Sequence, residues 1–353
     1  MIKILHSADW HLDAPLRSLP PDQAKRLRRE MLAIPERVAG LCREQGCDLV
    51  LLAGDLFDGP YTPESYEAAY RALAALDVPV FIAPGNHDYC WEHSPYVRES
   101  WPENVHIFQT NQMESLVLPE LSCRVYGAGF TGPESGGLLA GFQAEGEERY
   151  ALAVVHGDPT SAGSSYSPVT AAQVRDSGLD YLALGHIHSV GSFQSGSTLA
   201  AWPGCAMGHG FDETGVKGAL VVTLGDAVEA RLYPISGPRF YDIQIMPGQD
   251  VLAQLPARGN GDFYRVTFAG EVEPPDLEKV RQQLSAFPNL ILVDKTQPPI
   301  DLWAGADKDS LEGTFFRILR DAREGQDAET VEALERAAKI SRQILLGREV
   351  ELP

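Results

Sequence analysis

Five apolar runs, each four or five residues long and each followed by residues of the kind that bind metal ions, constrain this chain more than any other feature. The runs occupy positions 2–5, 49–53, 80–83, 151–155 and 181–184. At or just beyond their ends stand Asp9-x-His11, Gly54-Asp55, Gly85-Asn86-His87-Asp88, His156-Gly157 and Gly185-His186-x-His188. Short unbroken apolar runs separated by amphipathic stretches read as strands of a sheet covered on both faces, and such sheets bind ligands beyond the carboxyl ends of their strands. All five motifs fall there and would converge on one rim. The glycines beside Asp55, Asn86, His156 and His186 suit sharp turns out of a strand, where positive φ is often needed.

The donor types narrow the chemistry. Imidazole, carboxylate and amide oxygen without thiolate suit manganese, iron or zinc better than a soft-metal or pure calcium site. Eight candidate donors exceed what one ion takes, so two are expected. A pair of ions about 3.5–4 Å apart activates a water and holds the attacking and leaving oxygens of an in-line displacement, the demand of phosphoester hydrolysis.

These residues resemble a family. The chain is similar to the calcineurin-like metallophosphoesterases, and within them to the SbcD-type DNA double-strand-break repair exonucleases, nearest the YhaO-like branch. The resemblance is carried by Asp9-Trp10-His11-Leu12-Asp13-Ala14-Pro15, Ala53-Gly54-Asp55-Leu56-Phe57-Asp58, Pro84-Gly85-Asn86-His87-Asp88, Asn104-Val105-His106-Ile107-Phe108, 182–188, Trp202-Pro203-Gly204 and 211–218. It covers roughly the first 235 residues and then thins to pattern. It implies that Asp9, His11 and His188 hold a first metal, that Asn86, His156 and His186 hold a second, and that Asp55 bridges them. His87 would face the scissile phosphate as transition-state stabiliser or as acid for the leaving oxygen. Asp58 would lie just outside the metal ligands, steadying a ligand imidazole or the turn. Cys205 stands where many relatives have serine, and His209 where a basic residue is common.

Each motif alone has a plainer reading. Asp-x-His can be a turn residue beside a satisfied histidine, and Gly-Asp carries little information. Gly-Asn-His-Asp is stronger, since Asn and Gly favour tight turns but the following histidine has no structural reason to be there. In Gly-His-x-His, alternation at a strand end aims both imidazoles the same way. The ordered set of five, each in strand context, carries the assignment. Of the other histidines, His6 reads as a hydrogen-bonded core residue, His93 and His106 as surface or structural, and His209 as a residue on the substrate side.

At 353 residues the chain exceeds one ordinary core. The expected architecture is α/β: a four-layer α-β-β-α metallophosphoesterase sandwich over residues 1–235, a small α/β capping domain over 236–300, and a C-terminal helical segment over 301–353. Helical pattern fills 22–45 and 63–76. Residues 132–148 read as a mobile surface loop or short helix, and the Ser/Gly-rich loop 158–168, with Tyr166-Ser167-Pro168, would overhang the metals. Short strands from 190 to 233 suggest the second sheet. After Gly237-Pro238-Arg239, strand, strand, helix and strand patterns follow at 240–246, 262–268, 275–287 and 289–293. The resemblance makes this module a cap that shapes substrate approach; the alternative is a buttress for the sandwich. Two amphipathic helices end the chain, one with Leu311, Phe315, Ile318, Leu319 and Ala322 on a face, the other with Val331, Leu334, Ala338, Ile344 and Leu345. The resemblance offers an SMC-like coiled-coil ATPase, SbcC-like or YhaN-like, as their partner; packing on the chain's own cap is the alternative.

The first residues read as a strand and not a signal peptide, and no apolar run approaches the length of a membrane span. Five cysteines, odd in number and without Cys-x-x-Cys spacing, fit reduced thiols in a cytoplasm. A formal charge of −20 repels polyanions at long range. That favours a DNA-acting enzyme working as one subunit beside a basic partner, or an enzyme for a small substrate. The expectation is a manganese-dependent phosphodiesterase acting on DNA, with a homodimer implied by the resemblance. A phosphodiesterase or phosphatase for small-molecule or protein substrates, and a non-catalytic adaptor for an ATPase, are the alternatives; the intact ligand set with His87 opposes the adaptor.

Overall fold

A computed structural model describes residues 1–256, 261–348 and 350. The first sheet grows from β1 (Ile2–Ser7), β2 (Leu49–Leu52), β3 (Val80–Ile82) and β4 (Val105–Ile107), which are parallel neighbours. The second contains β5 (Glu114–Leu118), β6 (Cys123–Ala128), β7 (Tyr150–His156), β8 (Tyr181–Gly185), β9 (Gly191–Ser195) and β10 (Thr198–Trp202), in the order β5-β6-β7-β8-β10-β9. Strands β11 (Gly218–Leu224) and β12 (Val228–Pro234) return to the first sheet, where β11 pairs antiparallel with β1 and gives the order β12-β11-β1-β2-β3-β4. The expectation that 190–233 builds the second sheet therefore holds for β9 and β10 only. Period-2 alternation marks a strand but not its neighbour.

The two sheets pack face to face. Ile4, Leu49, Leu51 and Phe81 from the first and Val125, Leu152, Val154 and Ala183 from the second share one core. Alternate residues of the first sheet, such as Leu5, Val50 and Ile82, are equally buried and point to the opposite face. Helices α1 (Pro21–Met31), α2 (Ile34–Gln45) and α3 (Pro63–Ala74) connect the parallel strands and bury Leu27, Val38 and Leu73 among others. The helical pattern at 22–45 is thus two helices. Pro35 falls in the first turn of α2, where its missing N–H is no loss, whereas inside one continuous helix it would break a hydrogen bond.

Two further helices, α4 (Pro95–Arg98) and α5 (Ala171–Asp176), are short. The outer face of the second sheet is covered by α5 and by residues 132–148, which contain no helix and are not a free loop. Leu138 and Leu139 are buried against Val155, Leu182 and Leu184. The Gly/Glu-rich composition concealed this apolar pair.

The remaining elements are β13 (Phe240–Ile245), α6 (Val251–Gln254), β14 (Phe263–Glu271), α7 (Leu277–Gln283), β15 (Asn289–Gln297), α8 (Leu311–Asp321) and α9 (Ala328–Leu345). A third sheet has the order β13-β14-β15. The chain divides into two compact units: Met1–Asp242 with Ala257–Arg265 and Phe287–Leu290, and Ile243–Pro256 with Val266–Ala286 and Ile291–Pro353. The second unit has its own small core of Ala306, Phe316 and Ala338. Arg342, nearly buried, stacks its guanidinium over the Phe316 ring at 3.6 Å and pairs with Glu312. The apolar face expected of α8 is rotated out. Gly313 and Phe316 are its buried residues, while Leu311, Phe315 and Ile318 are exposed, as are Ile344 and Leu345 of α9.

A buried carboxylate fixes the loops at the rim of the first sheet. Asp88 accepts hydrogen bonds from the backbone N–H of Gly85 (2.8 Å), Leu56 (2.7 Å), Asp55 and Phe57 (3.2 Å each) and from the Tyr96 hydroxyl (2.6 Å). Asp88→Ala leaves these donors buried without an acceptor. Chemical denaturation should show a loss of about 3 kcal/mol, and an unchanged midpoint would refute this role.

Candidate metal centre

The motif residues meet where the carboxyl ends of both sheets lie side by side. Asp9 and His11 follow β1, Asp55 follows β2, and Asn86 and His87 follow β3; His156 ends β7, and His186 and His188 follow β8. The loops are held by their own backbone: Asp9 N–H donates to Gly54 O and His11 N–H to Asp55 O, both at 3.0 Å. Four of these residues carry the turns themselves, with φ of 51° at Asp9, 46° at His11, 52° at Asp55 and 88° at His186. A left-handed backbone at non-glycine residues is uncommon and marks sites where the surroundings over-determine the conformation.

Only Gly54 among the flanking glycines uses positive φ, at 84°. The others are there for room. A Cβ on Gly85 would lie 2.2 Å from Asp55 Oδ1, one on Gly185 1.9 Å from Ala53 O, and one on Gly157 2.6 Å from Ser167 O. Close approach, not turn geometry, is what these three permit.

Two subsets of donors form around one carboxylate. His11 Nε2 and His188 Nε2 face each other at 3.1 Å, with Asp9 completing their cluster. On the other side, Asn86 Oδ1 lies 3.0 Å from His156 Nε2 and 3.3 Å from His186 Nδ1. Asp55 Oδ2 stands between them, 3.9 Å from His11 Nε2 and 3.3 Å from His156 Nε2. Asp55 Oδ1 accepts from His87 N–H at 2.9 Å, which orients the carboxylate.

The arrangement fits a cation. His156 Nδ1–H donates to the Ala53 carbonyl at 2.8 Å, so in a neutral ring Nε2 presents a lone pair to two acceptors, Asn86 Oδ1 and Asp55 Oδ2. Such a cluster is stable only with positive charge among the donors. Without metal a proton supplies it: burial opposes a charge on His156, but Asp55 and Asp9 outweigh burial and raise its pKa to about 9. For Asp55 burial again works against charge, and the histidines reverse it and hold the carboxyl well below its usual range. Burial raises Asp9 to about 6 and lowers His11 to about 3. Burial, then the His156 charge, lowers His186 to about 4.

His87 lies beside the cluster, its ring edge-on to His11 at 4.8 Å and partly open to solvent. Its Nδ1 pairs with Asp58 Oδ1 at 2.5 Å, and this hydrogen bond raises its pKa. Asp58 thus steadies His87 by a direct hydrogen bond, with His11 close by. Tyr166, from the loop after β7, lies against the His186 ring at 4.9 Å.

Two residues with clear roles in holding the site stood in the quoted motifs but were given no role from the sequence. One is Asp88. The other is Glu213, whose Oε1 accepts from His188 Nδ1 and whose Oε2 accepts from the backbone N–H (2.7 Å) and Nδ1 (2.9 Å) of His209. His209, expected on the substrate side, instead packs against His11 at 5.3 Å as part of this support. The signal was present: Phe211-Asp212-Glu213 lies in a matching stretch, but nothing in its spacing links it to His188. His6 is a satisfied core histidine, bonded to the Tyr181 hydroxyl (2.7 Å) and Leu184 O (3.0 Å).

A two-sheet α/β sandwich whose nitrogen and oxygen donors converge from both sheets defines the metallophosphoesterase class. The chain belongs to the calcineurin-like phosphoesterase family, whose model matches residues 2–190. The fold of that family houses a dinuclear metal centre, and the converging donors form candidate ligand clusters for one. The chain is 29% identical over 248 residues to the uncharacterized metallophosphoesterase YhaO of Bacillus subtilis, a match covering 64% of this chain and 58% of that protein. The match thus spans little more than half the length of that relative. Among solved structures, a dimetal phosphatase from Danio rerio aligns with TM-score 0.45 and 14% identity over 65% of this chain and 96% of its own. The TT1561 protein of Thermus thermophilus aligns at 0.40 and 15%, over 65% and 98%.

Two measurements check the site. Because metal must displace the His156 proton, affinity should rise with pH until about 9 and then level. Calorimetry with Mn²⁺ in buffers of different ionisation enthalpy should find about one proton released per centre filled at pH 7; pH-independent affinity would contradict the assignment. Glu213→Gln removes the charge behind His188 and should weaken binding of one of two ions by roughly 10–100-fold, read by titration.

Proposed function

We propose that this chain is a manganese-dependent phosphodiesterase that cleaves DNA, as exonuclease or endonuclease subunit of a double-strand-break repair complex with an SMC-like ATPase in the cytoplasm. The observation that carries the hydrolytic part is the pairing of a donor set split around Asp55 Oδ2 with a protonatable His87 at its edge. In this reading Asp9, His11 and His188 hold one ion, Asn86, His156 and His186 the other, and Asp55 both. When bound, the ions supply a nucleophile from water and neutralise charge developing on the phosphoryl oxygens.

The chain's own residues do the rest. His87, whose pKa the Asp58 hydrogen bond raises, donates its proton to the leaving oxygen, and its Nδ1 contact leaves Nε2 free for that task. Asp58 orients the ring and stabilises its charge. The N/O donor set supports manganese, with iron or zinc also compatible. The DNA assignment rests on the motif stretches shared with SbcD-type exonucleases. The exposed Leu311, Phe315, Ile318, Ile344 and Leu345 on α8 and α9 favour a partner such as an SbcC-like or YhaN-like coiled coil, and a homodimer belongs to the same reading. Five free, buried cysteines accord with a reducing compartment, and no helix among the described residues is long and apolar enough to cross a membrane.

The formal charge of −20 favours a second reading, a phosphodiesterase for small substrates. The deciding experiment follows end-labelled linear duplex and single-stranded DNA with Mn²⁺, with and without a candidate ATPase. Degradation that falls at least a hundredfold in His87→Ala is expected; intact DNA throughout, beside turnover of a small phosphodiester, selects the second reading.

A further inference from the structure

A cavity of about 800 Å³ opens beside the metal centre, with His87 in its wall, a size in the range of small-ligand sites. Tyr61, Tyr66, Tyr89 and Trp91 line it, and their chemistry is selective. The Tyr61 hydroxyl donates to Glu99 and the Tyr66 hydroxyl to the Ser100 carbonyl, each at 2.5 Å. With those phenols engaged, what both tyrosines offer is ring surface. Trp91 is 47% exposed, an uncommon state for so large an apolar side chain. It is nevertheless held in place: the His93 ring meets it edge-on at 4.7 Å, Tyr89 lies 6.2 Å away at 34°, and Ser94 N–H donates to its carbonyl at 3.0 Å. An indole positioned by neighbouring rings and still half exposed offers ring surface on which a flat group can stack.

Charge excludes a phosphate chain from the same space. Among the described residues, Arg98 is the one Lys or Arg lining the cavity, against Glu67 and Glu99, and the Asp88 carboxylate is already engaged by its backbone donors. A flat, uncharged heterocycle meets no such penalty. The cavity also shares His87 with the reacting site. Gly59 N–H donates to His87 O at 3.3 Å, tying the rim that leads to Tyr61 to the histidine, and the His87 ring itself abuts His11.

We propose that this cavity is a nucleobase subsite, stacking on Trp91 the base of the nucleotide on the His87 side of the scissile phosphate. The inference rests on the nucleic-acid reading of the metal centre and sharpens it. The enzyme grips one unstacked base next to the bond it cuts, so single-stranded or frayed ends are its substrates, and its formal charge of −20 is no obstacle, because affinity at this point comes from stacking.

The test uses short single-stranded oligonucleotides that carry either a base or a tetrahydrofuran abasic residue at each nucleotide flanking the cleaved bond in turn, with Mn²⁺ and the full chain. In wild type, removing the base on one side should lower kcat/KM by about tenfold or more, the scale of one base–aromatic stack. In Trp91→Ala that penalty should shrink to under about threefold, and Trp91→Phe, which keeps a ring, should restore most of it. Equal rates on base-bearing and abasic substrates, or a penalty unchanged by Trp91→Ala, overturn the subsite and leave the nuclease reading intact. No cleavage of any oligonucleotide, beside hydrolysis of bis(p-nitrophenyl) phosphate, overturns both.

Discussion

The site exists only because one sheet packs on the other. Asp9, His11, Asp55, Asn86 and His87 come from the first, and His156, His186 and His188 from the second, so every distance across the cluster is set by the shared core beneath it. That core tolerates little adjustment. At Gly127 on β6 an added Cβ would fall 2.1 Å from the Phe108 ring, and at Gly185 the two sheets approach until a Cβ would touch the Ala53 carbonyl. Close-packed interiors transmit such changes instead of absorbing them. A methyl group several residues from any donor therefore shifts one half of the donor set against the other.

Electrostatics imposes the complementary constraint. Two fully buried carboxylates, Asp9 and Asp55, sit among four imidazoles with their hydrogen bonds already directed: His156 to Ala53, His188 to Glu213. Burial, joined by like-charged neighbours, pushes Asp9 and His11 toward neutrality, while Asp55 stays charged because histidines surround it. The cluster thus keeps a charge that faces both donor subsets, the position from which a bridging ligand acts.

Much of this was legible in the chain. Strand runs, their order and the motif after each run were local patterns, and local patterns place residues on one rim when the sheet is parallel. What was not legible depends on partners distant in sequence. Glu213 reaches His188 across 25 residues and Asp88 ties β2's loop to β3's, and neither has a periodicity to betray it. Antiparallel β11 and β12 could have joined either sheet. The α8 face was misread because amphipathic spacing gives two candidate stripes, and Phe316, packed beneath Arg342, outcompeted Phe315 for the interior. The glycines were expected for their dihedral freedom, and three of four proved to be there for lack of a side chain.

The left-handed backbone at Asp9, His11, Asp55 and His186 has a further consequence for tolerance to change. A branched residue at any of these positions meets a steric penalty in addition to losing its donor atoms. Saturation mutagenesis would record folding and chemistry as one signal there, with valine and isoleucine depleted for two reasons at once. Asparagine adopts this conformation more readily than most side chains, so among replacements it is the one whose deficit reports on the lost carboxylate charge or imidazole and not on the turn.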